Sequence, residues 1–244
     1  MRYLVLVAAL AAGSAATQEP SGDWILRRVD ANIGSDNKTS QTRMIIEGRG
    51  GTRTVESRSW IRGTSESFTE YLAPPRDRGT KMLKLEDRLW TYFPATDRTI
   101  LIAGHMLRQS VMGSDLSYED LMEDPKLIDL YDASVLREEP LGGRPCWVLR
   151  LEAKTEGVAY HSREMWVDQE RFVPLREQRY AKSGRLLKTT DVLDVRRIDD
   201  RWVATTILFK DALKASGGTR FEIESIAFNV NIPDHVFSKA ALRR

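Results

Sequence analysis

Apolar and polar positions change their period along this chain. Over residues 22–33, GDWILRRVDANI, Trp24, Ile25, Val29 and Ile33 fall near one face of a helix, and the Asp36-Asn37 region ends it. From there to about residue 103 the period becomes two. Strands are predicted at 42–47, 54–62, 66–73, 81–85, 88–93 and 98–102, separated by turn signals such as Gly48-Arg49-Gly50-Gly51 and Glu86-Asp87. Residues 105–130 interrupt them. There 105–112 and 118–123 read as short helices, while 127–131 fits neither pattern. Strands resume at 134–138, 145–154, 159–167, 174–181, 186–198, 201–210 and 219–229, with LGGR, KTEG, DQER, AKSG and IDDR between them. The tail IPDHVFSKAALRR holds a short helical turn at best.

Meander spacing of this kind predicts a mainly β protein: one large antiparallel sheet curled into an open or closed barrel. Along PCWVLRLEAK, Trp147, Leu149 and Leu151 share a face; in SREMWVDQ, Glu164 and Trp166 oppose Met165 and Val167; and Phe221 and Ile223 alternate with Glu222 and Glu224. A curved sheet with an apolar face must cover it, and the helical segments at 22–33 and 105–125 are the available cover.

Composition narrows the class. The 244 residues carry 37 basic and 35 acidic side chains, a net charge of +2, with the signs interspersed. No basic block tracks a nucleic-acid backbone. The N-terminus, MRYLVLVAALAAGSAATQEP, has one Arg, an apolar run and the small–x–small pattern of Ser14-Ala15-Ala16. It predicts a secretory signal peptide over residues 1–16, too short for a lasting membrane span. No Cys follows the apolar run. Residues 17–244 then form one exported, soluble domain. The single cysteine, Cys146, makes no internal disulfide and reads as a small apolar packing residue.

The densest polar cluster is MGSDLSYEDLMED, residues 112–124. Ser117 and Asp120 before Leu121-Met122 match a capping box, with Glu119 and Asp120 favourable at the positive helix end. The cluster lacks the alternating Asp/Asn and central Gly of a calcium loop. His105, His161 and His235 show no zinc spacing. No G-x-S-x-G elbow occurs, and the Gly48 turn lacks the Lys-Ser/Thr of a phosphate loop. Neither a metal, nor a cofactor, nor a catalytic constellation is expected. What stands out is aromatic content on strands, consistent with an ordinary core or with a hydrophobic ligand cavity.

The succession WIR, FTEYLAPPRDRGTKML, LWTYFPATDRTI and GSDLSYEDL, from Trp60 to Leu121, with IPDHVF near the end, resembles the LolA-like family of outer-membrane lipoprotein-sorting proteins. The resemblance implies an unclosed barrel of about eleven antiparallel strands with a helical lid. It implies a periplasmic carrier that shields acyl chains in its concavity, and an early-strand arginine that ties barrel to lid. Arg62 best matches that arginine, with Arg58 next. The GSDLSYEDL segment marks a branch that looks like the companion of a membrane transporter.

The resulting expectation is a monomeric periplasmic carrier or chaperone for a lipid or acylated lipoprotein, with no catalytic step. Its cavity would be lined by Trp60, Phe68, Tyr71, Met82, Leu85, Trp90, Tyr92, Trp147, Leu149, Phe221 and Ile223, and roofed by Leu107, Val111 and Met112 of a lid at 105–125. The alternative is an accessory protein that docks onto an inner-membrane transporter, its concave face filled by its own side chains. An esterase-like enzyme is disfavoured because no nucleophile is set beside a base.

Overall fold

The computed structural model describes residues 20–34, 37–48, 50–123, 126–215 and 217–243; the segment read as a signal peptide lies outside them. Every period-two segment of the sequence is a strand. They are β1 (Asn37–Gly48), β2 (Gly51–Arg62), β3 (Glu66–Ala73), β4 (Lys81–Leu85), β5 (Arg88–Phe93), β6 (Arg98–Ile102), β7 (Tyr131–Glu138), β8 (Cys146–Ala153), β9 (Ser162–Asp168), β10 (Pro174–Tyr180), β11 (Leu186–Ile198), β12 (Arg201–Asp211) and β13 (Gly218–Phe228). The helices are α1 (Gly22–Ile33), α2 (Tyr118–Met122) and α3 (Leu127–Leu130).

The thirteen strands make one antiparallel sheet in the order β6-β5-β4-β3-β2-β1-β13-β12-β11-β10-β9-β8-β7. Sequence neighbours pair, apart from the long-range junction of β1 with β13, and β6 and β7 are left as the two edges. The result is an unclosed barrel, curled by a twist of about 20–25° per strand pair. It has two more strands than the resemblance implied.

Register sorts the side chains into two faces. On the inner face Ser57 lies opposite Thr42 and Tyr71, Ser59 opposite Ser40 and Thr69, and Met165 opposite Leu149 and Glu177. On the outer face Trp60 lies opposite Phe68, and Leu83 opposite Phe68 and Trp90.

α1 closes one half of the inner face. Ser21 caps it by accepting from the Trp24 amide at 3.2 Å, and Ile25, Leu26 and Val29 are fully buried against Leu149, Leu151, Met165 and Val167. Burial of each is worth about 1.5–3 kcal/mol. Trp24 departs from the predicted stripe: it is 42% exposed and meets Phe172 edge-on. Leu26 takes the buried place instead. The Asp23 carboxylate accepts from the Ala133 amide at 2.9 Å, which docks α1 on β7. A Cβ on Gly22 would stand 2.4 Å from the Ala133 carbonyl oxygen, so this approach requires glycine. Asp30 accepts from the amides of Leu127 and Ile128 at 3.2 and 3.0 Å and so caps α3.

Residues 104–122 cover the other half. The helix expected at 105–112 is instead two 3₁₀ turns, Gly104–Arg108 and Val111–Gly113, separated by the extended Gln109 and Ser110, with Met112 left-handed (φ 50°) inside the second. Segment 127–131 divides: α3 ends at Leu130 and Tyr131 begins β7. The tail is not peripheral. Its 3₁₀ turns Asp234–Phe237 and Lys239–Arg243 place Phe237 and Leu242, with Ile232, over Phe68, Leu83 and Trp90 on the outer face. Cys146 is fully buried on that outer face with Val148 and Trp166.

Candidate functional site

Between α1 and the 104–122 segment the inner face holds two adjoining clefts. The first, about 300 Å³, spans β1 to β5 and mixes Met44, Tyr71, Met82 and Phe221 with a band of hydroxyls. Thr42 Oγ1 and Ser57 Oγ are 2.9 Å apart, as are Ser59 Oγ and Thr69 Oγ1, so these hydroxyls satisfy one another. The second, about 320 Å³, spans β10 to β13 and is markedly apolar, lined by Trp202, Ile207, Phe209, Ile223, Ile226 and Phe228. Each falls in the range of small-molecule sites. Lys38 of β1 lines both. Burial, and then the charge of Arg201, pull its ammonium below the usual lysine range.

The 104–122 segment roofs the first cleft. Val111, Leu116 and Tyr118 are buried against Met44, Tyr71, Met82 and Leu89, with Met106, Leu107, Met112 and Met122 beside them. Leu121 also lines the cleft, yet is 39% exposed. Ser117 and Asp120 form the predicted capping box: the Ser117 hydroxyl accepts from the Asp120 amide, and the Asp120 carboxylate accepts from the Ser117 amide at 2.7 Å.

The acidic residues of this segment do more than cap. Asp120 accepts from Lys188 Nζ at 2.5 Å, from Arg179 Nη1 at 3.1 Å and from the Tyr160 hydroxyl at 2.5 Å. Glu123 pairs with the fully buried Arg163, which also donates to Glu177 at 2.6 Å and to the Tyr131 hydroxyl at 3.0 Å. Arg179 donates to Glu177 at 2.8 Å. Burial pushes the Asp120 and Glu177 carboxyls up, but Lys188 and Arg179 outweigh it at Asp120, as Arg179 and Arg163 do at Glu177, and each is held at about 2. At Glu123 burial wins over Arg163 and Arg179, and its carboxyl rises. Further donors reach the roof from the barrel: Lys84 Nζ to the Met122 carbonyl at 3.1 Å, and Lys214 Nζ to Ser110 Oγ at 2.6 Å. Inside, Asp115 accepts from Thr219 Oγ1 at 2.8 Å and from the Asp211 amide at 3.1 Å.

The expected cavity residues separate into three groups. Tyr71, Met82 and Phe221 line the first cleft under Leu107, Val111 and Met112, and Ile223 lines the second. Trp147 and Leu149 are on the inner face but packed around the α1 core, outside both clefts. Trp60, Phe68, Leu85, Trp90 and Tyr92 stand on the outer face with the C-terminal tail, a correction to their expected place in the cavity. Here β2 to β5 are covered on both faces, with Trp60, Phe68, Trp90 and Tyr92 outside and Tyr71 inside, so aromatic content does not mark the cavity side.

The expected latch also moves. Arg62 and Arg58 share the outer parity of Trp60. Arg62 pairs with Glu66 and Asp234 at 2.5 Å each and stacks 4.5 Å over Phe237, so it secures the tail, not the lid. Arg58 lies 5.9 Å over Trp60. The lid is held by Lys188, Arg179 and Arg163, none of which sequence reasoning singled out. For Arg179 the signal is PLREQRY, residues 174–180, where charged Glu177 and Arg179 occupy the inner parity in place of apolar residues. Among the described residues no three His, Cys, Asp or Glu side chains are grouped to hold a metal, and no helix is long and apolar enough to cross a membrane.

Comparison with known proteins agrees with this architecture. A family described as uncharacterized protein matches residues 63–244. A DUF1329 family protein from Desulfovibrio piger superimposes with a TM-score of 0.84 at 26% identity, over 91% of this chain and 97% of that one. An outer membrane lipoprotein-sorting protein domain from Vibrio parahaemolyticus gives 0.81 at 23% identity, over 91% and 98%. A LolA superfamily protein from Nitrosomonas europaea gives 0.76 at 22% identity, over 91% and 99%. Among functionally curated proteins none matches.

Proposed function

Starting from the premise that this chain belongs to the family matched over residues 63–244 and has the LolA-like fold, we propose that it is an exported periplasmic carrier for a lipid or acylated polypeptide, with no catalytic step. The observation that carries the reading is the pair of adjoining clefts on the inner face, one strongly apolar, beside a lid held by ion pairs as well as by apolar packing.

Exposing an acyl chain to water costs about 0.8 kcal/mol per methylene, on the order of 10 kcal/mol for a common chain. A carrier must hide that surface yet release it, since each ~1.4 kcal/mol of excess affinity is tenfold in the dissociation constant. Hydrophobic covers resist opening in proportion to area. Here part of the cover's hold is electrostatic, through Asp120 and Glu123. The sheet beneath does not have to unfold when the lid lifts. Met82, Met106, Met112 and Met122 around the first cleft offer adaptable contacts to a flexible chain. Export is supported by the apolar, small-residue N-terminus.

Mass spectrometry of an organic extract of the purified protein, paired with titration of a fluorescent fatty acid, tests this. The expected result is a stoichiometric acyl ligand and saturable binding. Absence of both overturns it.

A second reading, a periplasmic accessory that docks onto an inner-membrane transporter, is favoured by one observation. On the outer face of β10 to β12 a shallow depression of about 580 Å³ is flanked by Leu141, Leu175, Leu208 and the 53% exposed Leu193. Co-purification with an inner-membrane complex, without extractable lipid, would select this reading.

A further inference from the structure

Cations on the inner face of this barrel are mostly spoken for. Lys188 and Arg179 hold Asp120, Arg163 holds Glu123 and Glu177, and Lys84 donates to the Thr64 and Met122 carbonyls. Lys38 is different. It has no hydrogen-bond or ion-pair partner among the described residues, although it is half-buried and lies at the junction of both clefts. Its strand neighbours on this face are Ile61 of β2 and Phe228 of β13, so its stem runs between apolar side chains. A second cation stands nearby: the Arg201 guanidinium lies 5.1 Å over the Phe228 ring and donates to the Gly34 carbonyl. Among the described residues its one ion-pair partner, Asp200, is 3.8 Å away and 87% exposed.

Two like charges beside an apolar cleft repel one another, and a half-buried ammonium without an anion is costly. An anion seated between them would remove both penalties. The position suits a head group. Gly34, which accepts from Arg201, and Gly63 of the first cleft are exposed, whereas Ile207, Phe209 and Ile223 of the apolar cleft are half-buried. An amphiphile lying here would keep its charge at the rim and its hydrocarbon inside.

We infer that Lys38, assisted by Arg201, recognises the anionic head group of an acyl lipid whose chain occupies the cleft between β10 and β13. The inference rests on the carrier reading and sharpens it. It selects a lipid carrying its own carboxylate or phosphate over an uncharged, esterified acyl group, which would offer Lys38 no anion.

Calorimetric titration of the full chain with two matched pairs tests it: oleate against oleyl alcohol, and oleoyl lysophosphatidate against mono-oleoylglycerol. The native protein should bind the anion of at least one pair tenfold or more tighter than its neutral partner, and the pair that does so identifies carboxylate or phosphate as the source. Lys38→Met should abolish the preference, so that anion and neutral partner bind with equal affinity, and Lys38→Arg should retain it. Equal affinity for both members of both pairs, or a preference that survives in Lys38→Met, overturns the inference and leaves the carrier reading standing. No binding of any of the four overturns both.

Discussion

Asp120 of α2 and Lys188 of β11 meet at 2.5 Å, tying the roof of the first cleft to the far half of the sheet. The same carboxylate accepts from the Ser117 amide within its own helix. One side chain thus starts the lid helix and fastens it. With its side chain 3% exposed, it works where charge pairing is little screened by solvent.

Asp120→Ala should cost about 3–5 kcal/mol, because Lys188 and Arg179 lose their partner in a buried setting. Asp120→Asn keeps one carbonyl oxygen for the cap, worth about 1 kcal/mol, but loses the charge and the oxygen that accepts from Arg179 and Tyr160. Urea unfolding ranks the pair, with Asn the milder. Amide exchange within residues 104–122 should accelerate in both; unchanged protection there would show that apolar packing alone holds the lid.

The pH response follows from the carboxyl groups. Asp120 and Glu177 are held at about 2 in the folded protein, below unfolded values of about 3.9 and 4.3. Their contribution is fully present above the unfolded values and is lost as pH falls through about 2. Glu123 is raised, so its protonation on acidification favours the folded form and opposes that loss. Lid protection, followed by exchange or thermal melting, should therefore hold from pH 7 to about 5 and decline between about 4 and 2. A lid that opens near pH 6 would contradict this assignment.

Arg62→Ala separates the tail from the lid. Its partner Asp234 is 92% exposed, so the pair is worth no more than about 1 kcal/mol. Exchange should quicken in residues 232–243 and remain unchanged in 104–122. The reverse pattern would restore Arg62 as the lid latch.

Ile223→Trp adds bulk to the apolar cleft from a half-buried strand position. Acyl-ligand affinity should fall at least tenfold, about 1.4 kcal/mol, with an unaltered β-sheet circular dichroism spectrum. The matching substitution on the outer face, Leu85→Trp, should leave affinity unchanged and alter only stability. Equal loss from both would remove the inner face as the binding surface.

The capping box at Ser117 and Asp120 was legible because it depends on residues three apart. Lys188 and Arg179 were not, because they lie on strands 68 and 59 residues from Asp120 and are brought to it only by the β10–β11 pairing and the fold of the lid across the sheet. Cys146 was legible as a packing residue from its apolar neighbours, but not the face it occupies.

By itself the sequence determined that this protein is a many-stranded antiparallel sheet with helical cover, since period two and turn chemistry are local properties of the chain. Only the tertiary structure decided which parity faces inward. Trp60 and Ser59 adjoin on one strand, and each face there is covered, by the tail on one side and the lid on the other. Hydrophobic alternation distinguishes a buried side from a wet one; where both sides are buried it carries no sign, and the contacts of residues 232–243 and 104–122 supply it.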